Sequence, residues 1–417
     1  MSITKSFKKA IFDIAKKDRT FRIAARTGRD LVYRAKMTLD EPFGRLDDKL
    51  VYFQTFSGRG YSDSPKAMYE YMLSAPEYKD FRFVWSFKEP EKYSHLLQNG
   101  RTEIVKFRTR ADNQAMRKAK YWITNYRMLD HQYPRKGQIY LQCWHGTPLK
   151  RLGYDITESD NAMNSLAEIK GKYRTDAKKF AYLLSPSPFA TDKFATAWNL
   201  NKTGQRYKIL EEGYPRNDRL INTKPVEREA LRKQLGVDGK KVILYAPTWR
   251  DNQHTSGQGY TYKTEVDFDR LQRELGSEYV ILFRAHYLVA NSFDFGKYPG
   301  FVIDASGYGD INDLYIASDI LITDYSSVFF DYANLRKPVI FYMYDLEEYA
   351  GELRGFYLSL DELPGPIVRD EQDLIKEIKA CDGWQPDEKY EAFHKKFNPL
   401  DDGRASERVL KRIILNV

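Results

Sequence analysis

Several large protein classes are excluded by what this sequence lacks. No apolar run approaches the roughly 18 residues that a membrane-spanning helix needs, and runs such as Tyr279–Phe283 have only the length of a strand. There are two cysteines, Cys143 and Cys381, so a disulfide framework is excluded and a reducing cytoplasm is the expected compartment. Lysines 5, 8 and 9 stand where a signal peptide has its apolar segment, so we expect no leader.

Common nucleotide-binding and metal-binding signatures are also missing. The sequence has neither the Walker-type phosphate loop nor the Gly-x-Gly-x-x-Gly dinucleotide fingerprint. It shows no Cys/His spacing typical of a metal site and no recognised nucleic-acid-binding motif. We therefore expect no metal, no cofactor and no nucleic-acid partner.

The residues that are present indicate a globular α/β chain. Of the 417 residues, 42% are hydrophobic and 30% are charged, which is enough for two or three domains at roughly 100–200 residues each. Short β-rich runs alternate with helical runs, which favours parallel sheets covered by helices. We predict two Rossmann-like domains, residues 46–235 and 236–417, facing a central cleft, with the last helix able to pack back on the first domain. Ligands in such folds bind beyond the carboxyl ends of the strands.

Residues 1–45 are predicted to form a separate basic helical arm. Residues 1–36 hold 11 Lys and Arg side chains against three Asp, so they carry +8 of the total net charge of +9. Ile3, Phe7, Ile11 and Ile14 recur at helical spacing, with lysines on most of the opposite face. Such an amphipathic helix can pack on the protein body, or lie on an anionic membrane surface where each cation contributes about 1 kcal/mol. Both interpretations stay open; nucleic-acid binding is less favoured, because the rest of the chain adds no basic stripe.

The strongest single candidate for chemistry follows the predicted strand Ile139–Trp144. His145 stands at the tip of that strand, and Gly146 and Thr147 follow it in a turn. A histidine in this position can accept a proton from an attacking hydroxyl group near neutral pH. It can equally serve only to hydrogen-bond the turn.

Cationic and hydroxyl side chains end two strands of the second half. Arg284 and His286 follow Tyr279–Phe283, and both can contact phosphate oxygens. Thr248 and Arg250 follow the first strand of this half and add further donors. A salt-bridged arginine and a surface histidine would be the plain structural alternatives.

Two more turns complete the candidate set. Asp324, Ser326 and Ser327 lead from a strand into a helix, whose free N–H groups can bind an anion; N-capping by Ser326 alone would also fit. Arg216 and Asp218 follow the last strand of the first half, where Gly, Pro, Asn and Asp favour a turn in any case. Basic or hydroxyl-bearing turns in both halves would suit a ligand with a diphosphate held between two domains.

Seven ordered segments form motifs, including Trp-His-Gly-Thr-Pro and Asp-Tyr-Ser-Ser: 56–66, 142–150, 213–218, 245–250, 323–327, 351–357 and 363–368. Over about residues 50–410, the sequence resembles the CDP-glycerol glycerophosphotransferases that build wall teichoic acid in Gram-positive bacteria. The resemblance implies a GT-B-like fold with the active site between two Rossmann-like domains. The length of this chain is similar to that of the compact members, which add one or a few units.

The resemblance also implies roles for individual residues. His145 would be the catalytic base, and Arg284, His286, Ser326 and Ser327 would bind the donor pyrophosphate. Thr248 and Arg250 are added to this donor-binding set from their position at a strand end and not from the resemblance. Gly146, Thr147, Asp324, Arg216 and Asp218 are further candidates for substrate contacts. The implied partners are CDP-glycerol and an undecaprenyl-linked disaccharide or glycerol-phosphate acceptor. Residues 1–36 would hold the protein peripherally at the cytoplasmic face of the cell membrane.

Three alternatives remain at the level of sequence. The same scaffold could use CDP-ribitol, because only the alditol pocket must change. A nucleotide-sugar glycosyltransferase or epimerase with two Rossmann-like domains would release a nucleoside diphosphate instead of CMP. A membrane-surface binding protein without activity would need none of the strand-end histidines, arginines and serines.

Overall fold

Two parallel sheets follow one another along the chain, each covered by helices. The computed structural model describes residues 14, 18–39, 45–158, 164–248, 254–255, 259–260, 266–285, 293–347 and 355–415. The first sheet lies within residues 47–211 and the second within residues 241–368. The predicted pair of parallel-sheet α/β domains is thus confirmed.

The first sheet has seven strands in the order β3-β2-β1-β4-β5-β6-β7, all parallel. This is the Rossmann order with one added strand, and it reverses direction between β1 and β4. The strands are β1 (Asp47–Gln54), β2 (Arg82–Phe87), β3 (Thr102–Lys106), β4 (Ala119–Thr124), β5 (Ile139–Gln142), β6 (Tyr182–Ser185) and β7 (Ile209–Glu211).

The second sheet repeats this topology with six parallel strands in the order β12-β11-β8-β13-β14-β15. Its order reverses between β8 and β13. A small antiparallel ribbon, β9 with β10, stands apart from it. The strands of this half are β8 (Lys241–Ala246), β9 (His254–Thr255), β10 (Gly259–Tyr260), β11 (Tyr279–Phe283), β12 (Val302–Asp304), β13 (Ile320–Thr323), β14 (Val339–Tyr342) and β15 (Ile367–Val368).

Helices connect the strands and cover both sheet faces. Those of the first half are α1 (Arg19–Leu39), α2 (Asp63–Ser74), α3 (Arg110–Lys118), α4 (Leu166–Ala177), α5 (Pro188–Ala197), α6 (Asp218–Asn222) and α7 (Pro225–Gln234). Those of the second half are α8 (Phe268–Leu275), α9 (Ile311–Ala317), α10 (Val328–Tyr332), α11 (Glu371–Ala380), α12 (Glu388–Phe397) and α13 (Ala405–Leu410). No helix in the described ranges combines the length and apolarity that crossing a bilayer requires.

Both faces of each sheet are buried, which explains the continuous apolar runs of the strands. In β1, Val51 and Phe53 pack into the cluster on one face, while Leu50 and Tyr52 pack into the cluster on the other. The residues of β8 alternate between two clusters in the same way. Strand β3 was not predicted from the sequence, because its run Thr-Glu-Ile-Val-Lys forms the sheet edge and contains two charges.

The end of the described chain returns to the first domain. Val409, Leu410 and Ile413 are buried in the same cluster as Val51. The carboxylate of Asp218 accepts hydrogen bonds of 2.8 Å from the backbone N–H groups of Ala405 and Ser406, and so caps α13. The last helix therefore packs on the first sheet, whereas the boundaries 46–235 and 236–417 stay predictions.

Helix α1 is the described part of the basic arm. The apolar stripe Ile3, Phe7 and Ile11 lies outside the described residues. Arg22 is buried, and the guanidinium groups of Arg22 and Arg26 each donate a hydrogen bond of 2.9 Å to the Glu168 carboxylate. The bond from Arg22 is the main reason that the pKa of Glu168 is lowered to about 2. This carboxylate thus fixes α1 to helix α4, so part of the arm packs on the body.

Candidate active site

The candidate site forms where the carboxyl ends of the two sheets meet. In the first half its residues follow β1, β4, β5 and β7, and in the second half they follow β8, β11 and β13. The pairs β1/β4 and β8/β13 are the points at which the strand order reverses, where open α/β sheets place their ligands.

His145 is held by a hydrogen bond that fixes its tautomer. Its Nδ1 atom lies 2.9 Å from the carbonyl oxygen of Asn125, which follows β4. A carbonyl oxygen only accepts, so Nδ1 carries the hydrogen and the neutral ring keeps its lone pair on Nε2. The side chain is half-buried, so it is oriented but still accessible. This is the geometry that a general base requires.

Aromatic rings surround the imidazole. The ring centroid of Trp144 lies 4.3 Å from that of His145, and those of Phe56 and Tyr126 each lie 6.0 Å away. Trp144 and Phe56 have left-handed backbone angles, φ +54° and +45°, which non-glycine residues adopt at a cost and which cluster at functional sites. The turns that carry these rings are therefore held in place by the surrounding fold.

The electrostatic environment keeps His145 neutral. Burial lowers the pKa of His145, while the Asn125 carbonyl and the carboxylate of Asp63 oppose the shift and the Arg216 guanidinium adds to it. The net pKa lies below the ordinary histidine value of 6.5. At neutral pH the ring is thus ready to accept a proton.

At Gly146 the two halves approach each other closely. An ideal Cβ atom built on Gly146 would lie 3.2 Å from the Ser327 Oγ atom and 3.4 Å from the Arg216 Nη2 atom. Its φ of +151° also belongs to the region that side chains disfavour. A glycine is needed here so that the turn after His145 can reach the serine turn of the second domain.

Arg216 joins the two domains beneath this contact. Its guanidinium is buried and pairs with Asp63 of the first half, at 3.2 Å, and with Asp331 of the second half. Burial alone would lower the pKa of Arg216, but Asp331 and Asp63 outweigh it and hold the pKa above its usual value. Arg216 therefore stays charged and acts in this structure as an ionic bridge.

Asp324 and Thr248 contact each other. The buried Asp324 carboxylate accepts bonds from the Thr248 backbone N–H, at 2.8 and 3.0 Å, and from the Thr248 hydroxyl, at 2.5 Å. The pair ties together the ends of β8 and β13. Asp218 is likewise engaged as the cap of α13. Substrate contacts by these three residues stay predictions.

The predicted phosphate donors line the second half. Arg284 is half-buried and donates through Nη1 to the carbonyl oxygens of Ala305, at 3.1 Å, and Tyr308, at 2.8 Å, while burial lowers its pKa.

Ser326 and Ser327 precede α10; Ser327 is its N-cap but makes no side-chain capping bond. The structure thus brings the Ser327 turn to Gly146, whereas Thr147 is buried behind it. Arg250 and His286 lie outside the described residues.

Several residues of the site were not named as candidates from the sequence, although Phe56 and Asp63 lie in the motif segment 56–66. Asn125, Phe56, Tyr126, Asp63 and Asp331 contact His145 or Arg216. Asn125 directly follows the β-rich run 121–124 of strand β4, so the rule about strand ends would have identified it. Asp331 lies inside a helix and had no such signal. Within the described ranges, no group of three or more His, Cys, Asp or Glu residues is placed to hold a metal ion.

Comparison with known proteins gives the same family as the sequence motifs. The profile of the CDP-Glycerol:Poly(glycerophosphate) glycerophosphotransferase family matches residues 33–415. The chain belongs to this family. A teichoic acid glycerol-phosphate transferase of Staphylococcus aureus is 39% identical over 93% of this chain and 98% of its own length. A teichoic acid poly(glycerol phosphate) polymerase of Staphylococcus epidermidis is 38% identical over 95% of this chain, which spans only 56% of that polymerase.

Solved structures agree with the fold of the family. A structure of the wall teichoic acid polymerase TagF, from a variant soaked with CDPG, has a TM-score of 0.84 and 37% identity, covering 95% of this chain and 98% of that chain. A UDP-GlcNAc 2-epimerase from Neisseria meningitidis has a TM-score of 0.50 at 13% identity, over 88% of this chain and 100% of that chain. The second likeness concerns the fold alone. The predicted GT-B-like architecture and family are confirmed.

Proposed function

We propose that this chain transfers glycerol phosphate from CDP-glycerol to a hydroxyl group of a lipid-linked teichoic acid precursor and releases CMP. The family membership supports the donor and the reaction. The observation that carries the mechanism is the neutral His145, fixed through Nδ1 at 2.9 Å from the Asn125 carbonyl oxygen, next to the serine turn of the second domain.

In the proposed step an acceptor hydroxyl attacks the distal phosphorus of the donor. A bond forms between the acceptor oxygen and that phosphorus, and the bond from the phosphorus to the bridging oxygen breaks. The electron pair of the broken bond leaves with CMP, and Nε2 of His145 takes the hydroxyl proton. General-base catalysis of this kind contributes about 10²–10⁴-fold to a rate.

The second domain supplies positive charge and hydrogen-bond donors for the diphosphate. We assign this task to Arg284, Ser326, Ser327 and Thr248, and to Arg250 and His286, which lie outside the described residues. Phosphoryl transfer depends mainly on positioning and charge stabilisation, so these donors should strongly affect kcat/KM. The proposed step uses no cofactor. Comparing CMP release with and without the chelator EDTA would test whether a divalent metal ion is required.

The proposal also names an acceptor and a location in the cell. We propose an undecaprenyl-linked disaccharide or glycerol-phosphate chain as acceptor, and peripheral binding at the cytoplasmic face of the membrane through residues 1–36. Leu31, Val32 and Leu39 of helix α1 are exposed by 62%, 69% and 84%. Apolar side chains beside lysines and arginines support contact with an anionic bilayer surface.

The test is CMP release by the purified protein, with lipid-linked acceptor and CDP-glycerol, CDP-ribitol or a UDP-sugar in separate reactions. We expect acceptor-dependent CMP from CDP-glycerol and its loss in the His145→Ala variant. CMP from CDP-ribitol alone would overturn the donor and keep the mechanism. Turnover of the UDP-sugar alone would overturn the reaction. Donor binding measured by calorimetry separates an inactive binding protein, which need bind no CDP-alditol, from an enzyme given a wrong acceptor.

A further inference from the structure

A pocket of about 570 Å³ lies between helix α1 and the segment that follows β4. Arg29, Tyr33 and Lys36 of α1 form one wall, and residues 126–132 form the opposite wall. The volume falls within the range of ligand-binding clefts. None of the site residues predicted from the sequence lies in this pocket.

The lining of this pocket is strongly cationic. Five cationic side chains stand against the two carboxylates Asp30 and Asp130: Arg29, Lys36, Arg108, Arg127 and Lys172. Asp30 is already paired with Arg29 at 3.2 Å. Among the described residues, Lys36, Arg108 and Lys172 have no salt-bridge partner. Like charges gathered around a concave surface favour an anionic ligand there.

The titration of neighbouring groups reflects the same positive potential. Burial lowers the pKa of Lys172, the nearby Arg26 and Arg127 lower it further, and Asp130 and Glu168 oppose the shift. Burial also lowers the pKa of His131, with Lys179, Arg108 and Arg29 adding to the shift and Asp30 opposing it. These groups therefore lie in surroundings where an additional negative charge would be stabilised.

One residue connects this pocket with the candidate active site. Tyr126 lines the pocket, and its ring centroid lies 6.0 Å from that of His145. Arg59 lies over the Tyr126 ring at 6.0 Å. A chain that occupied the pocket would thus have its end one aromatic ring away from the catalytic base.

We propose that this pocket binds phosphate groups of the acceptor and directs the terminal hydroxyl towards His145. The proposal rests on the proposed function, whose acceptor is a phosphodiester chain or a pyrophosphate-linked lipid. The pocket lies on the His145 side, whereas the predicted donor-binding residues follow strands of the second sheet. Helix α1, fixed by Glu168, then serves acceptor binding as a wall of the pocket as well as membrane contact.

The anionic headgroup of a phospholipid shares this chemistry, so the test must separate the two sources. The probe is a water-soluble glycerol-phosphate trimer, used without membranes. We compare wild-type protein with the double variant Lys36→Gln/Arg108→Gln. The matched control, Lys202→Gln/Lys233→Gln, removes two charges from exposed positions elsewhere. Thermal unfolding and circular dichroism check that each variant is folded.

We expect the pocket variant to weaken trimer binding, and to raise the KM for the trimer, by at least tenfold. The Kd for CDP-glycerol should stay within about twofold, and the control should match the wild type. Unchanged trimer binding would overturn the proposal, and loss of binding to phosphatidylglycerol vesicles alone would assign the pocket to lipid headgroups.

Trimer binding is measured by calorimetry without donor, so the outcome does not depend on turnover. Wild-type protein that binds the trimer through this pocket but releases no CMP would contradict the proposed function and keep the pocket assignment. If the wild-type protein releases CMP and the pocket variant binds the trimer normally, the pocket assignment is contradicted and the proposed function is kept.

Discussion

The two halves of the candidate site are built in different ways. In the first half, six described non-glycine residues have left-handed backbone angles, and four of them lie in the segments after β1 and β5 that form the His145 side of the site: Phe56, Ser57, Asp63 and Trp144. Among the described residues of the second domain only Arg336, nine residues beyond Ser327, shares this property. The donor side instead presents a serine turn, a buried Asp324–Thr248 pair and an arginine on loop carbonyls.

The difference corresponds to two chemical tasks. A base must present one nitrogen in one tautomer, so its ring is fixed by stacking and by a carbonyl group, at the cost of backbone strain. A phosphate group accepts hydrogen bonds from many directions, so donors on ordinary turns and helix ends are sufficient. The comparison predicts that substitutions in the two halves affect different kinetic constants.

The largest effect is expected from removing the base. His145→Gln should lower kcat by about 10²–10⁴-fold, because the amide group cannot take the hydroxyl proton. The Kd for CDP-glycerol should change by less than about threefold, since the donor contacts lie in the other half. CMP release under saturating donor and calorimetry give the two values.

The converse control for this prediction is Ser327→Ala. It should weaken donor binding more than it lowers kcat, because it removes a hydrogen bond to a charged group, worth about 1.5–3 kcal/mol. Equal losses of donor affinity in both variants would contradict the division of tasks between the halves.

A smaller loss is expected where the halves touch. In Gly146→Ala the new Cβ would meet Ser327 Oγ at 3.2 Å and would hold a φ of +151°. We expect about 10–100-fold lower kcat/KM, because the strain of about 1–3 kcal/mol is relieved by moving the turns apart. Gly171→Ala on α4 is the matched control, since its added Cβ meets nothing within 4 Å. Similar activity in both variants would show that the contact is dispensable.

Much of the fold could be predicted from the sequence because its signals are local. Buried parallel strands are apolar on both faces, so runs such as β8 and β11 stand out, and the polar residues after them mark the cleft. The edge strand β3 was not predicted, because one side of it has no neighbouring strand and tolerates charged residues.

The parts of the site that were missed depend on contacts between distant segments. Asp331 reaches Arg216 from a helix 115 residues away, and no local pattern distinguishes it from a surface aspartate. Asp218 was predicted as a candidate for substrate contact, yet its carboxylate caps α13, almost 190 residues further along the chain. Only the folded arrangement separates an acid that serves the fold from one that serves the substrate.

The smallest effect, and the finest test of the His145 side, is on pH dependence. Burial holds the pKa of His145 below 6.5, and only the neutral ring accepts a proton, so the acidic limb of kcat/KM should have its midpoint below pH 6.5. The Asp63 carboxylate favours the charged ring; Asp63→Asn should therefore move the midpoint further down, by about half a unit. The amide can still accept from Arg216, which keeps its second partner Asp331. His145→Ala should show no such limb in its residual activity. A midpoint above 6.5, or an upward shift in Asp63→Asn, would mean that another group titrates in this step.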